Sequence, residues 1–133
     1  MRRPRRLTLL ALALWAVAAF NLLGVVTGVQ RYTVLRDLPL SVSPLYLLGS
    51  RAVWTLAFAG VGWALWRQWA WARPAVLAAL ALYLAQGWFD RLVLARADAP
   101  ALAWPYHLVL HLIGLVLVAA LLWRRPHPRA FSA

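Results

Sequence analysis

The sequence predicts an all-α integral membrane protein, folded as an up-and-down bundle of four transmembrane helices with no soluble domain. Two observations predict this fold: apolar residues make up 65% of the 133-residue chain, and only 13% of its residues are charged. Average globular domains hold about 45–50% apolar and about 25% charged residues. Residues 1–133 are therefore predicted to form a single membrane domain.

Four apolar segments are long enough to cross a bilayer, which takes about 20 helical residues. The predicted spans are Leu7–Val29, Pro44–Trp66, Pro74–Ala95 and Pro105–Trp123. The last three begin with proline, which lacks a backbone N–H and is tolerated in the first helical turn. Ser43 precedes the second span and is its predicted N-cap. The first span also has the basic start of a signal peptide, but its apolar run is longer than the usual signal and predicts an uncleaved helix.

The distribution of arginine predicts the orientation in the membrane. All 14 basic residues are arginine, and the acids are Asp37, Asp90 and Asp98. With a cytoplasmic N-terminus, nine arginines fall on the inner side and four on the outer side. This bias predicts a protein of the inner (plasma) membrane with both termini in the cytoplasm. The net charge of +11 is also compatible with nucleic-acid binding, but the arginines cluster at the ends of apolar runs, so no nucleic-acid partner is expected.

A few polar side chains fall inside the predicted spans, where polar groups are costly and often mark functional sites. Counted at 1.5 Å per residue, all of them lie in the outer half of the bilayer, on helix faces that otherwise carry small residues. They predict a polar pocket formed by Asn21, Arg51, Gln86, Asp90, His107 and His111. Arg51 and Asp90 lie at similar depth, which predicts that they form an ion pair. Glycines on the same faces, Gly24, Gly28, Gly62 and Gly114, are predicted to allow close helix packing.

Three roles are open for this pocket: a static network of satisfied polar groups, a binding site for a ligand, ion or proton, and a metal or cofactor site. His107 and His111 have the i,i+4 spacing of metal ligands, but the sequence has no glutamate or cysteine and Arg51 would repel a cation. Neither a metal, a cofactor nor catalytic residues are therefore predicted, and an enzyme is the least favoured class.

The first functional prediction is a small non-catalytic membrane protein, either an accessory or structural subunit or a homo-oligomer. Its expected partners are the lipid bilayer and a second membrane protein or another copy of itself. The alternative is a small transporter or channel whose outer pocket binds an anionic solute or a lipid headgroup. Arg51 would attract the anion, and the two histidines would make the pocket sensitive to pH, because histidine changes charge between pH 5 and 8.

Overall fold

The computed structural model describes residues 5–38, 43–94 and 104–123, and every regular element in these ranges is helical. The helices are α1 (Arg5–Gln30), α2 (Tyr32–Asp37), α3 (Pro44–Trp66), α4 (Ala72–Phe89) and α5 (Trp104–Trp123), and a π-helical turn, Asp90–Leu94, continues α4. The predicted all-α class is confirmed. The predicted outer connection around Asp98 and the arginines at 124, 125 and 129 lie outside the described residues.

Two helices, α1 and α3, are long and apolar enough to cross a membrane, and His107–Trp123 forms a shorter apolar stretch within α5. The predicted third span, Pro74–Ala95, differs in detail. Its helix begins earlier, at Ala72, its α-helical part ends at Phe89, and Ala95 is not among the described residues. The π-helical turn that follows changes the direction in which successive side chains leave the helix.

Helix α3 begins where the sequence predicts it. The Ser43 hydroxyl accepts a hydrogen bond from the Leu45 N–H over 3.3 Å, which confirms Ser43 as the N-cap, and Pro44 occupies the first helical position. The predicted loop between the first two spans is partly helical, because α2 starts directly after Arg31. Its six residues pack against α1 and α3.

A tight turn joins α3 to α4. The Trp69 N–H bonds to the Ala64 carbonyl over 3.0 Å, and the Gln68 N–H bonds to the Leu65 carbonyl over 3.1 Å. This pair of bonds is the Schellman motif, which satisfies the last carbonyls of a helix. The motif requires a left-handed residue, and here Gln68 takes that position with φ of 59°.

Packing is strongest between α1 and α3, followed by α3 with α4 and α4 with α5. The largest fully buried side chains are Phe58 and Leu65 of α3, Val76 of α4 and Leu122 of α5. Leu65, Val76 and Leu122 lie in the halves of their helices next to the α3–α4 turn. The core therefore closes this end of the molecule and leaves the opposite end to polar side chains.

Two tryptophans near the middle of the predicted spans pack between helices. Trp15 of α1 stacks on Trp66, with ring centroids 5.5 Å apart, and its indole N–H reaches the Ala59 carbonyl at 3.4 Å. Trp54 of α3 packs on Phe58 and on Tyr83 of α4 at centroid distances of 5.6 and 5.1 Å. The rings around Trp54 lie between the core and the polar end, whereas Trp66 is the last residue of α3 and places the Trp15 pair at the core end.

Candidate functional site

A cavity of about 330 Å³ opens between the helices at the polar end of the molecule. This volume is at the lower end of the range for small-molecule pockets, about 300–1,000 Å³. The cavity is lined by Phe20, Asn21, Leu47, Ser50, Arg51, Trp54, Tyr83, Leu84, Gln86, Gly87, Trp88, Asp90, Arg91 and His111. Residues of α1, α3, α4, the π-helical turn and α5 thus meet at one site.

Five of the six residues of the predicted pocket lie on the wall of this cavity: Asn21, Arg51, Gln86, Asp90 and His111. The sixth, His107, is not among the described residues that line it. His107 lies one helical turn from His111 on α5, toward the start of that helix.

A chain of hydrogen bonds runs along one wall of the cavity. The Trp54 indole N–H donates to Gln86 Oε1, and Gln86 Nε2 donates to the Tyr46 hydroxyl over 3.0 Å. The Tyr46 hydroxyl in turn donates to Asp90 Oδ1 over 2.7 Å. The network joins α3 to the end of α4, and it gives the Asp90 carboxylate a neutral partner.

The predicted ion pair between Arg51 and Asp90 is not formed. Asp90 is bonded to Tyr46, and within the ranges 5–38, 43–94 and 104–123 the one ion pair under 4 Å joins Arg36 to Asp37 on α2. Tyr46 and Asp90 lie at the ends of their helices, whereas Arg51 lies more than one turn further along α3. Counting residues along the helices places Arg51 and Asp90 at similar depth but does not identify Tyr46 as the partner of Asp90.

The Arg51 side chain instead lies against α1. A Cβ atom placed on Gly24 would overlap Arg51 Nη1 and would lie 2.9 Å from its Cδ and Cζ atoms. The missing side chain of Gly24 therefore makes room for the guanidinium group. As a result, a permanent positive charge lies at the cavity wall without a carboxylate partner among the residues that the structure describes.

Asn21 is the buried polar residue of α1, with 4% of its surface exposed. Its Nδ2 atom donates to the Val17 carbonyl one turn earlier, over 2.9 Å. This bond fixes the amide on its own helix. Asn21 consequently forms part of the wall between α1 and the cavity without bridging to another helix through Nδ2.

His111 brings α5 to the cavity. Its Nδ1 atom accepts a hydrogen bond from the Trp88 indole N–H over 3.1 Å, and the two rings meet edge to face with centroids 6.0 Å apart. An imidazole that accepts at Nδ1 carries its proton on Nε2. The bond therefore selects one of the two tautomers of the uncharged ring.

Three of the four predicted packing glycines lie at helix contacts. Gly24 faces Arg51, Gly28 faces the Leu48 side chain, and Gly62 faces Trp15, whose ring atoms would lie 2.7 Å from a Cβ atom on the glycine. Gly114 is different, because no described atom lies within 4 Å of the position of its Cβ. Within the described chain Gly114 thus lies at no close helix contact, and α5 packs mainly on α4.

Tyr46, Trp54 and Trp88 belong to the network but are not among the residues predicted for the pocket. Such rings are common at membrane interfaces and between helices, so their presence in a span does not by itself indicate a site. The sequence does contain a pattern that could have indicated Tyr46 and Trp54. These two residues are eight positions apart and share a face of α3, as Gln86 and Asp90 share a face at the end of α4. Two matching stripes of hydrogen-bonding groups on neighbouring helices indicate a network between them.

The charges of the cavity favour an anion. Arg51 and Arg91 contribute two positive charges and Asp90 one negative charge, so the wall is net positive when His111 is neutral. In the described part of the chain, no three His, Cys, Asp or Glu side chains come together as a metal-ion site. No protein-family model, curated protein or solved structure matches the chain.

Proposed function

We propose that the chain is a four-span integral membrane protein with both termini in the cytoplasm and no catalytic activity. Its cavity at the polar end of the molecule, which we call the outer cavity, binds a small anionic solute. The observation that carries this proposal is the position of Arg51 at the cavity wall, where Asp90 is occupied by Tyr46 and does not neutralise it. A fixed positive charge in a surrounding of low polarity attracts anions strongly.

The surface of the helices supports a membrane location. Far more large apolar side chains are exposed than buried, among them Leu56 at 74% and Leu92 at 70% exposure. Each side chain of this kind gains about 1.5–3 kcal/mol when it leaves water. Lipid would provide that gain for the exposed surfaces of α1, α3, α4 and α5 together.

Reporter fusions distinguish four spans from two. If α1, α3, α4 and α5 all cross the membrane, a reporter fused after Ala70 or Ala133 is active in the cytoplasm, and one fused after Asp98 is active outside. If α1 and α3 alone cross, the fusion after Asp98 is cytoplasmic. A cytoplasmic reporter at Asp98 would contradict the proposed topology.

Sulfate is a suitable probe for the cavity, and its binding to protein in mild detergent can be measured by calorimetry. Arg91→Gln should weaken sulfate binding by about fivefold, because one charge-assisted contact is lost. Asp90→Asn should strengthen it, because it removes the negative charge and keeps an oxygen for the Tyr46 hydroxyl. Arg36→Gln is the matched control, since Arg36 is paired with Asp37 on α2 and does not line the cavity.

Opposite effects of Arg91→Gln and Asp90→Asn, with no effect of Arg36→Gln, would support the proposal. Equal effects of the two arginine variants would show that sulfate responds to total charge and not to the cavity. Absence of sulfate binding to the unaltered protein would also count against a site for small anions.

A second function, accessory subunit or homo-oligomer, is favoured by the sparse packing of α5. Leu122 is the buried side chain of this helix, whereas Val116 is 67% exposed and Leu117 is 58% exposed. A partner helix could cover this face as well as lipid could. Native mass spectrometry of the complex extracted in mild detergent decides: a stoichiometric partner or a dimer favours this function, and a monomer opposes it.

A further inference from the structure

A second cavity, of about 220 Å³, lies between α1 and α3 and is bordered by α2. We call it the arginine groove. Its wall includes Gly24 and Gly28 of α1, Arg31 at the end of α1, Leu35 of α2, and Leu48 and Arg51 of α3. Arg51 lines both this groove and the outer cavity, whereas Arg31 lines the groove and Arg91 lines the cavity.

The groove carries two positive charges and no negative charge. Arg31 and Arg51 line it, and no aspartate is among its described lining residues. Neither arginine has a carboxylate within 4 Å in the described ranges. Guanidinium groups bind phosphate through parallel hydrogen bonds, so a phosphate group complements this wall. A headgroup with its own ammonium would find no carboxylate partner here.

The groove straddles the boundary between the hydrocarbon layer and the lipid headgroups. Helix α1 has 26 residues and is about 39 Å long, whereas the hydrocarbon layer is about 30 Å thick. A centred α1 would thus extend about 4–5 Å past each boundary. Gly24 lies six residues, or about 9 Å, before Gln30, so Arg51 would lie about 4–5 Å inside the boundary and Arg31 outside it.

The remaining wall is largely apolar, and the Thr27 hydroxyl in it donates to the Leu23 and Gly24 carbonyls of α1 itself. Gly24 and Gly28 present no side chains on α1, and Leu35 and Leu48 supply apolar atoms on the other two helices. The acyl chains of a phospholipid run from the glycerol next to the phosphate into the hydrocarbon layer. An apolar surface beside the phosphate site can therefore contact the first part of an acyl chain. A small free anion would leave these leucines in contact with water.

We propose that the arginine groove binds an anionic phospholipid of the outer leaflet, with its phosphate between Arg31 and Arg51 and the start of an acyl chain against Leu35 and Leu48. The inference rests on the proposed membrane location but not on solute binding in the outer cavity. Arg51 lines both sites, but Arg31 lines the groove alone and Arg91 lines the cavity alone, so variants of these two arginines let the two proposals fail separately.

The test is native mass spectrometry of the full chain in mild detergent, titrated with phosphatidylglycerol or phosphatidylcholine. We expect preferential retention of phosphatidylglycerol, and a loss of about fivefold in its affinity in Arg31→Gln, the effect of about one interfacial basic residue. Arg36→Gln removes the same charge from the same region, and Arg91→Gln removes a charge from the outer cavity. Both controls should retain the lipid like the unaltered protein.

Equal retention of phosphatidylglycerol by Arg31→Gln and the unaltered protein would overturn the inference, and so would equal retention of the two lipids. Competition by free glycerol phosphate at the concentration of the lipid would identify a soluble phosphate as the ligand and would also overturn it. If sulfate binding depends on Arg91 but lipid binding does not depend on Arg31, this inference is wrong and the proposed function still stands.

Discussion

The guanidinium group of Arg51 occupies the space next to Gly24 that a Cβ atom on this residue would fill. Because Arg51 lines both the outer cavity and the arginine groove, one glycine on α1 sets the position of a charge that the two sites share.

Gly24→Ala should displace Arg51 without unfolding the protein. The atom that the new methyl group meets is the end of a flexible side chain, and alanine favours a helix by about 1 kcal/mol over glycine. We expect an unchanged or slightly raised melting temperature and weaker retention of phosphatidylglycerol. Gly60→Ala is the control, because its Cβ would meet no atom within 4 Å. Equal lipid retention in both variants would show that Gly24 does not position Arg51.

Gly62→Ala should destabilise the protein. Its Cβ would lie 2.7 Å from ring atoms of Trp15, and that ring is held by Trp66 and cannot move freely. Overpacking of this kind costs about 1–3 kcal/mol. Gly114→Ala serves as the comparison and should be neutral or stabilising, since its position is open. Unfolding in detergent, followed by circular dichroism, measures both. A stable Gly62→Ala variant would contradict the close contact of α1 and α3.

Helical periodicity in the sequence is sufficient to predict which polar and small residues share a helix face. This is why Gly24, Gly28 and Gly62, chosen from spacing alone, lie at helix contacts. It was insufficient for Gly114, because a helix with few neighbours leaves part of its small-residue face open. Spacing along one helix does not tell which of its faces another helix covers.

Hydrogen-bond partners were also beyond the sequence argument. Pairing Arg51 with Asp90 required only equal depth, whereas the observed bond of Asp90 to Tyr46 depends on how far each helix is rotated. The π-helical turn that begins at Asp90 also changes the direction in which the following side chains leave the helix, and no residue pattern in the sequence indicates this turn. Rotation and local winding are tertiary properties, and a single sequence gives them only weakly.

The bond between Tyr46 and Asp90 predicts an energetic coupling. In a double-mutant cycle, Tyr46→Phe and Asp90→Asn should interact by about 0.5–3 kcal/mol, because the two groups are in direct contact. Arg51→Gln and Asp90→Asn should show a much smaller interaction, since no ion pair joins them. Thermal unfolding of the single and double variants supplies the free energies. A larger coupling energy between Arg51 and Asp90 than between Tyr46 and Asp90 would indicate that Asp90 pairs with Arg51 and not with Tyr46.

The turn between α3 and α4 offers a stabilising substitution. Gln68 adopts φ of 59°, a left-handed conformation that costs an L-residue with a side chain about 1–2 kcal/mol. Gln68→Gly should therefore raise the free energy of unfolding by about 0.5–1 kcal/mol, because glycine adopts this conformation without strain. Gln68→Val should lower it, since a β-branched residue is least tolerated there. The same unfolding experiment tests both, and a stabilising valine would contradict the Schellman turn.

Sulfate binding in the outer cavity should depend on pH through His111. The ring accepts a hydrogen bond from Trp88 at Nδ1, and protonation of that atom replaces the acceptor with a donor and adds a positive charge to the wall. The other charged groups at the wall are Arg51 on α3, and Asp90 and Arg91 after α4. A third positive charge among them favours an anion, so sulfate should bind more tightly when the ring is protonated, and sulfate affinity measured from about pH 8 to about pH 5 tests this.

The two histidine variants isolate this effect. His111→Ala should make sulfate affinity nearly independent of pH, because sulfate itself keeps its charge over the range. His107→Ala should retain the pH dependence, since His107 is not among the described residues that line the cavity. Calorimetric titrations at intervals across the range give the two profiles. If the dependence survives in His111→Ala and disappears in His107→Ala, the anion lies nearer to the start of α5 than the cavity does, and the site must be moved there.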